Sequence, residues 1–238
     1  MSESAADFLP EQEWPSHHTV NSHDDPFLFE LIEFLGEVRG IESAVTSAIL
    51  ASYPDGASPH GLECRVKHWR SLHRKAKDIV MRRPYHFDEA TTESQLARMA
   101  LNAIDDILRY SMVSEPHKEI PGNASAFVRN ARDAKIRALS ILNSYHVATR
   151  YKGFHVILDL MEKFGIRLAC EVQFHSPESI ATYVDTHPLY EEFRVSKDLP
   201  KRQALHDEIE SMYASLPNLE LSGHGFPISV TNRIFARP

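Results

Sequence analysis

Phe154-His155-Val156-Ile157-Leu158-Asp159-Leu160 and Ile166-Arg167-Leu168-Ala169-Cys170-Glu171-Val172-Gln173-Phe174 are two apolar, β-leaning runs separated by Met161-Glu162-Lys163-Phe164-Gly165. Their composition and the short spacer predict a hairpin in which Gly165 supplies the turn. Upstream, Ile107-Leu108-Arg109-Tyr110-Ser111-Met112-Val113 has strand character, and Ile228 to Phe235 reads as a last short strand. Helical patterns lie between these strands without a regular βαβ rhythm. The expectation is an α+β domain with a mixed four- to five-stranded sheet flanked by helices.

Working outward, Leu28, Leu31, Ile32, Leu35, Val38, Ile41, Val45 and Ile49 follow helical spacing after Pro26 and the Asp24-Asp25 cap pair. One or two helices are expected over 26–52, with Gly36 and Gly40 as candidate breaks. Past the turn-forming Tyr53-Pro54-Asp55-Gly56, His68 to Met81 places Trp69, Leu72, Ala76 and Ile79 or Val80 on one helix face. Thr91 to Ala103 reads as a helix with Leu96, Met99, Ala100 and Ala103 inward, which leaves Asp106 where a strand begins. Pro121-Gly122-Asn123 is expected to open a helix reaching about Tyr145 and carrying Phe127, Ala131, Ala134, Ala138, Leu139 and Leu142. Ser176-Pro177-Glu178 looks like another helix start, and a further helix is expected from about Pro200 to Leu216.

Composition bounds the function classes. A 238-residue chain that is 42% apolar and 25% charged can build one sizeable core. Its apolar runs are interrupted by charge too often to cross a bilayer, and no membrane role or signal peptide is expected. Cys64 and Cys170 match no zinc-ligand spacing and are expected to be reduced packing residues. Glu3, Asp7, Glu11, Glu13, Asp24 and Asp25 carry most of the net charge of −7, so residues 1–25 form an acidic stretch without Lys or Arg. Low apolar content there predicts a disordered tail, either a plain leader or a binding segment for a partner such as a secretion chaperone.

Three clusters carry candidate chemistry. Between Cys64 and Lys77 stand Arg65, Lys67, Arg70, Arg74, Lys75 and Lys77, a dense local field in a body that is otherwise near neutral. If 65–67 is extended, Arg65 and Lys67 point one way and Lys75 on the following helix can join them on a polyphosphate; a solvated basic helix face is the alternative. Asp106 and Glu171 sit in or beside apolar strand runs, where an inward carboxylate suggests a site, and on one sheet face the two could share Mg²⁺. Either is also explained as a surface residue. Arg150-Tyr151-Lys152-Gly153-Phe154-His155 could stack an aromatic on a base with cations on phosphate, or be ordinary hairpin-edge chemistry.

Arg65-x-Lys67, then Ser71-Leu72-x-x-Lys75, Asp106-Ile107, Tyr151-x-Gly153-x-His155 and Glu171-Val172-Gln173, in that order, resemble the synthetase domain of RelA/SpoT-type alarmone enzymes, a nucleotidyltransferase-like fold. The run Glu171 to Ser179, followed by Thr186-His187-Pro188-Leu189-Tyr190-Glu191, is similar to the branch found at the ends of polymorphic toxins. A single domain is expected over 26–238, with a helical lead-in at 26–58, a catalytic core at 60–195 that the resemblance covers, and a C-terminal helix and strand at 196–238. The resemblance implies transfer of the β,γ-pyrophosphate of ATP to the ribose 3′-hydroxyl of a purine nucleotide. Arg65, Lys67 and Lys75 would bind the donor phosphates, Asp106 and Glu171 would hold Mg²⁺, and Glu171 would be the base on the attacking hydroxyl. Tyr151 would stack on the acceptor base, with Gln173, His155, Arg109 and Arg150 as further polar or phosphate contacts.

Two departures from the family pattern stand out. No glycine follows Asp106-Ile107 where expected, and Arg109 comes two places early, which keeps its face but moves it ~7 Å along a strand. Val147 stands where the family has a cation, a role Arg150 could take. No hydrolase motif precedes the synthetase-like region. Synthesis without built-in degradation suits a toxin or effector, cytoplasmic or delivered by a specialised secretion system and restrained by an immunity protein. The alternatives are a pyrophosphokinase acting on the 3′ end of tRNA, with Arg194, Lys197, Lys201 and Arg202 as an RNA-tracking patch, and a non-catalytic relic that binds nucleotide or a host protein.

Overall fold

The computed structural model describes residues 25–82, 91–145 and 151–232. Residues 1–24 of the tail expected over 1–25, Val147, Arg150 and the end of the last strand beyond 232 lie outside the described residues, whereas Asp25 is described. Helix α1 (Pro26–Ala51) is continuous through Gly36 and Gly40, and it starts where Asp25 accepts from the Leu28 amide at 2.9 Å with Pro26 in the first turn. Helix α2 (Trp69–Arg82) follows the expected bounds and buries Leu72 and Ala76. Helix α3 (Glu93–Asn102) opens on a Thr92–Gln95 capping box. It turns Ala97, Ala100 and Leu101 inward, whereas Met99, expected inside, is 57% exposed. The small alanines let α3 lie close to α1 and α2, which a methionine at the contact would prevent.

The mixed sheet consists of β1 (Ser58–His60), β2 (Leu108–Val113), β3 (Arg137–Asn143), β4 (Phe154–Asp159), β5 (Ala169–His175) and β6 (Val230–Asn232), in the spatial order β1-β2-β5-β4-β3-β6. Four strands of six or seven residues form its body, and the three-residue β1 and β6 extend its edges to six strands. The β2–β5 and β3–β6 pairs are parallel and the others antiparallel. The expected hairpin is β4–β5. Its connection carries a one-turn helix, α5 (Met161–Phe164), and Gly165 ends that turn in the left-handed region at φ 71°.

The helix expected from Pro121 to Tyr145 is a correction. Helix α4 covers only Ile120–Asp133, and Arg137–Asn143 is strand β3. The helix stops in a Schellman turn, in which Ile136 N–H donates to Ala131 O at 2.8 Å and Lys135 N–H to Arg132 O at 2.9 Å. The left-handed residue of that turn is Lys135, at φ 63°, in the place usually taken by glycine. A stop without its glycine leaves no mark in the sequence. Leu139, which helical spacing had placed inward, is 48% exposed on the strand.

Packing separates the two sides of the sheet. Tyr110 and Met112 of β2, Cys170, Val172 and Phe174 of β5, and Phe154, Val156 and Leu158 of β4 are buried. On that side α4 lies against β3, β4 and β5. Phe127 of α4 meets Phe174 edge-on at 5.5 Å, and Phe154 meets Phe174 at 6.2 Å. Cys64 and Cys170 are free thiols, as expected, and burial pushes the Cys170 thiol far up. Helices α6 (Pro177–Val195) and α7 (Leu199–Ala214) pack on each other, and the Ser176–Ser179 capping box starts α6 immediately after β5. None of the described helices is long and apolar enough to cross a membrane.

Candidate active site

Strand register builds the floor of the site. Arg109 pairs with Glu171 across the parallel β2–β5 ladder, and His155 pairs with Gln173 across β4–β5. Because side chains alternate along a strand, Arg109, Glu171, Gln173 and His155 emerge on the side of the sheet opposite the Phe174 packing. They line a cavity of about 1030 Å³, at the upper end of the volumes usual for small-molecule sites. Basic groups from α2, among them Lys75, Arg74 and Arg82, form one wall. Tyr183 and Thr186 of α6 and Tyr213 of α7 form the other.

Residues 65–67 run antiparallel to the entry of β2, with Lys67 N–H donating to Ile107 O at 2.9 Å and Arg109 N–H to Arg65 O at 2.8 Å. This pairing carries Lys67 to Asp106, which lies in the turn just before β2. Lys67 Nζ donates to Asp106 Oδ2 and Lys75 Nζ to Asp106 Oδ1, both at 2.7 Å. Burial pushes the Asp106 carboxyl up, but the two ammonium groups outweigh it and hold the carboxyl well below the usual range.

Arg65 departs from the expected convergence. Its guanidinium pairs with Glu42 of α1 and donates to Leu62 O at 2.8 Å, and Thr46 hydrogen-bonds both Glu42 and the buried Tyr110 hydroxyl. Arg65 does not line the cavity. It sits at the C-terminal cap of a 3₁₀ turn over Leu62–Cys64, so it is not extended and period two does not apply to it. Lys67 and Lys75 converge without it.

Glu171 is held within the sheet. His155 Nδ1 lies 2.7 Å from Glu171 Oε1, and Gln173 Nε2 donates to Oε2 at 2.8 Å. Tyr151 OH lies 2.7 Å from His155 Nε2, so Tyr151, His155 and Glu171 form one chain of hydrogen bonds. The chain continues through Gln173 Oε1 to His175 Nε2 at 3.4 Å and from His175 Nδ1 to Ser179 at 3.3 Å. Burial pushes the Glu171 carboxyl up. His155 and then Arg109 more than offset this and hold it at about 2. Gly153 is required here, since a Cβ at that position would stand 2.4 Å from His155 Nε2 and 2.7 Å from the Tyr151 ring. The sequence pointed to a glycine that admits a ligand; the structure shows one that admits the Tyr151–His155 bond.

Tyr151 lines the cavity with edge-on contacts to His155 at 5.5 Å and Tyr213 at 5.7 Å. Its neighbour Lys152 is buried and donates to Leu216 O at 2.7 Å, so this cation anchors the end of α7 and is not a phosphate contact. The aromatic wall from α6 and α7 was not singled out from the sequence. On α6 the buried residues are Ser179, Thr186 and Phe193 while Val184, Tyr190 and Val195 are exposed, so no clean apolar stripe marks that helix. Of the proposed RNA-tracking residues, Arg194 pairs with Glu191, Lys201 with Glu192 at 2.6 Å, and Arg202 lies 4.5 Å from the Phe193 ring centre.

The donor set suits Mg²⁺ in kind. Asp106 and Glu171 are ionised, line one cavity and supply hard oxygens, and Mg²⁺ bound with phosphates uses one or two carboxylates. Among the described residues, the one group of three candidate ligands within 4.8 Å of one another is His206, Asp207 and Glu210 on α7.

No protein-family model and no curated protein matches the chain. Among solved structures it is similar to small alarmone synthetases and to a GTP pyrophosphokinase family protein. Small alarmone synthetase 1 from Bacillus subtilis is 10% identical, with a TM-score of 0.39 over 82% of this chain and 92% of that chain. Small alarmone synthetase 2 from Bacillus subtilis is 11% identical, with a TM-score of 0.40 over 82% and 91%. The GTP pyrophosphokinase family protein from Streptococcus pneumoniae is 15% identical, with a TM-score of 0.39 over 82% and 89%. Likeness at this level says nothing of activity, which has to be argued from the site.

Proposed function

We propose that the protein is an ATP-dependent pyrophosphokinase that moves the β,γ-pyrophosphate of ATP to the ribose 3′-hydroxyl of a purine nucleotide. The observation that carries this reading is one cavity in which Lys67, Lys75 and Arg109 stand beside two ionised carboxylates, opposite an aromatic wall that includes Tyr151. The acceptor 3′-oxygen bonds to the β-phosphorus, the bond from that phosphorus to the oxygen bridging it to the α-phosphorus breaks, and AMP leaves with the electron pair. Lys67 and Lys75 neutralise charge on the transferred group, the main task in phosphoryl transfer. Arg109, next to Glu171 on the floor, would add a further cation for phosphate despite its early position in sequence. Mg²⁺, held by Asp106 and Glu171, would supply further charge neutralisation.

In this reading the acceptor 3′-hydroxyl gives its proton to the Glu171 carboxylate, which His155 holds through its Nδ1–H. The carboxylate at about 2 stays ionised at neutral pH, and His155 keeps it fixed at 2.7 Å. Gln173 holds its second oxygen, so the acceptor meets an oriented pair. Tyr151, bonded to His155 and flanked by Tyr213, places an aromatic ring where an acceptor base would lie.

Incubation with ATP, Mg²⁺ and each of GDP, GTP, ADP and ATP is expected to release AMP and yield a 3′-pyrophosphorylated product identified by mass. No AMP with any of these acceptors, or with tRNA, would overturn the reading. Glu191 and Glu192 beside Arg194 and Lys201 lower the net positive charge of the patch offered for tRNA, which favours the nucleotide acceptor. The toxin or effector role is tested in cells: induced expression should stop growth, and Glu171→Gln should restore it.

A further inference from the structure

The two lysines that this reading assigns to the donor phosphates are already engaged. Lys67 holds one oxygen of Asp106 and Lys75 the other, each at 2.7 Å. The Asp106 side chain is 18% exposed and that of Lys67 13%, whereas Lys75 is 42% exposed, so water competes least for the Lys67–Asp106 contact. An arriving polyphosphate therefore competes with a carboxylate for the same ammonium groups, and it leaves that carboxylate uncompensated beside a new anion. Opposite charges in a poorly solvated cleft interact strongly, and like charges repel as strongly.

We propose that Asp106 is a built-in competitor for the phosphate site: it occupies Lys67 and Lys75 in the unliganded protein and keeps polyphosphate out until a divalent cation takes over the carboxylate. The proposal rests on reading this cavity as a polyphosphate site. A state in which the lysines are engaged lowers apparent affinity by the fraction of molecules that are competent. By linkage, whatever captures the freed carboxylate raises polyphosphate affinity, and polyphosphate raises the affinity for that cation by the same factor. The protein would then bind donor and cation together and either one alone poorly.

Glu171 provides the internal control. It is a carboxylate of the same cavity, but its oxygens are held by His155 and Gln173, so neutralising it removes a charge without releasing a lysine.

The test uses inorganic tripolyphosphate as the probe, with the full chain in EDTA at about 0.1 M salt, where charges more than ~10 Å apart are largely screened. Calorimetry of Asp106→Asn should show binding at least tenfold tighter than wild type, and Glu171→Gln a gain under threefold. Equal gains in the two variants, or no gain in Asp106→Asn, would overturn the proposal. If Asp106→Asn does not fold, the wild-type protein answers. Tripolyphosphate in EDTA should shift the side-chain carboxyl carbon resonance of Asp106 and leave that of Glu171 in place; an unmoved Asp106 resonance at saturating probe rejects the proposal. Tripolyphosphate binding needs no acceptor and no turnover, so failure of the pyrophosphokinase assay and failure of this gate are separate outcomes.

Discussion

The two sides of one sheet differ in what each residue is asked to do. Toward α4, Phe154, Val156, Val172 and Phe174 are fully buried among other side chains, and their energy comes from area removed from water and close packing. Toward α6 and α7, the intervening residues His155, Glu171 and Gln173 of the same two strands are polar and bonded to one another around a cavity. A shift of one residue in register would exchange the two sets. The comparison teaches that the apolar side holds the register and the polar side makes use of it.

The comparison breaks most visibly at Phe174. Phe174→Ala should lower stability by about 3–5 kcal/mol, read by urea denaturation, because the cavity left between Phe127 and Phe154 cannot be filled. A loss below about 1 kcal/mol would show that side to be loosely packed. Glu171→Gln, a near-isosteric change on the other side, should leave the denaturation midpoint close to wild type and reduce AMP release by about 10²–10³-fold. Activity within about tenfold of wild type would move the chemistry to another group.

His175 sharpens the boundary, since it lies on the polar side by parity yet is buried like the core. Burial, helped by the neighbouring His155, His60 and Arg109, lowers it to about 3. Below its unfolded value of about 6.5 the unfolded chain binds a proton that the native state refuses, so stability falls with pH by up to ~1.4 kcal/mol per unit. His73 and His117, also lowered chiefly by burial, act in the same direction. His175→Asn should remove about one proton from the slope of denaturation midpoint between pH 6 and 4.5; an unchanged slope assigns the effect to the other histidines. The smallest expected effect is at Tyr151. Tyr151→Ala should weaken acceptor use by about 10–100-fold, in line with stacking worth ~1–3 kcal/mol, with donor ATP affinity little changed. Equal loss for both substrates would place Tyr151 with the packing residues and not in the acceptor site.

Much of the architecture was legible in the sequence because its signals are local. Asp25 and Pro26 start α1, the Ser176–Ser179 box starts α6, and Gly165 ends the turn before β5. Strand β3 was hidden because the stop of α4 uses Lys135 in a glycine's place, and a helical pattern continues through Ala138, Leu139 and Leu142. Strand β1 has three residues, too few for any period to show, whereas β6 lies within the short strand expected from Ile228 onward.

For the candidate site, residue types and order were readable in the chain: Arg65-x-Lys67 and Lys75, then Asp106, then a Tyr-x-Gly-x-His run ahead of Glu171-Val172-Gln173. Their partners were not. That Asp106 takes both lysines, that Arg65 goes to Glu42 of α1 instead, and that Tyr151, His155 and Glu171 form one chain of bonds depend on strand register and on helices distant in sequence. The sequence by itself determined which ionisable groups enter the fold and on which side of a strand each one lies, because alternation along a strand is a local property. Only the tertiary structure decided which charge meets which, because an ion pair is set by distances of a few ångströms between elements that no sequence period connects.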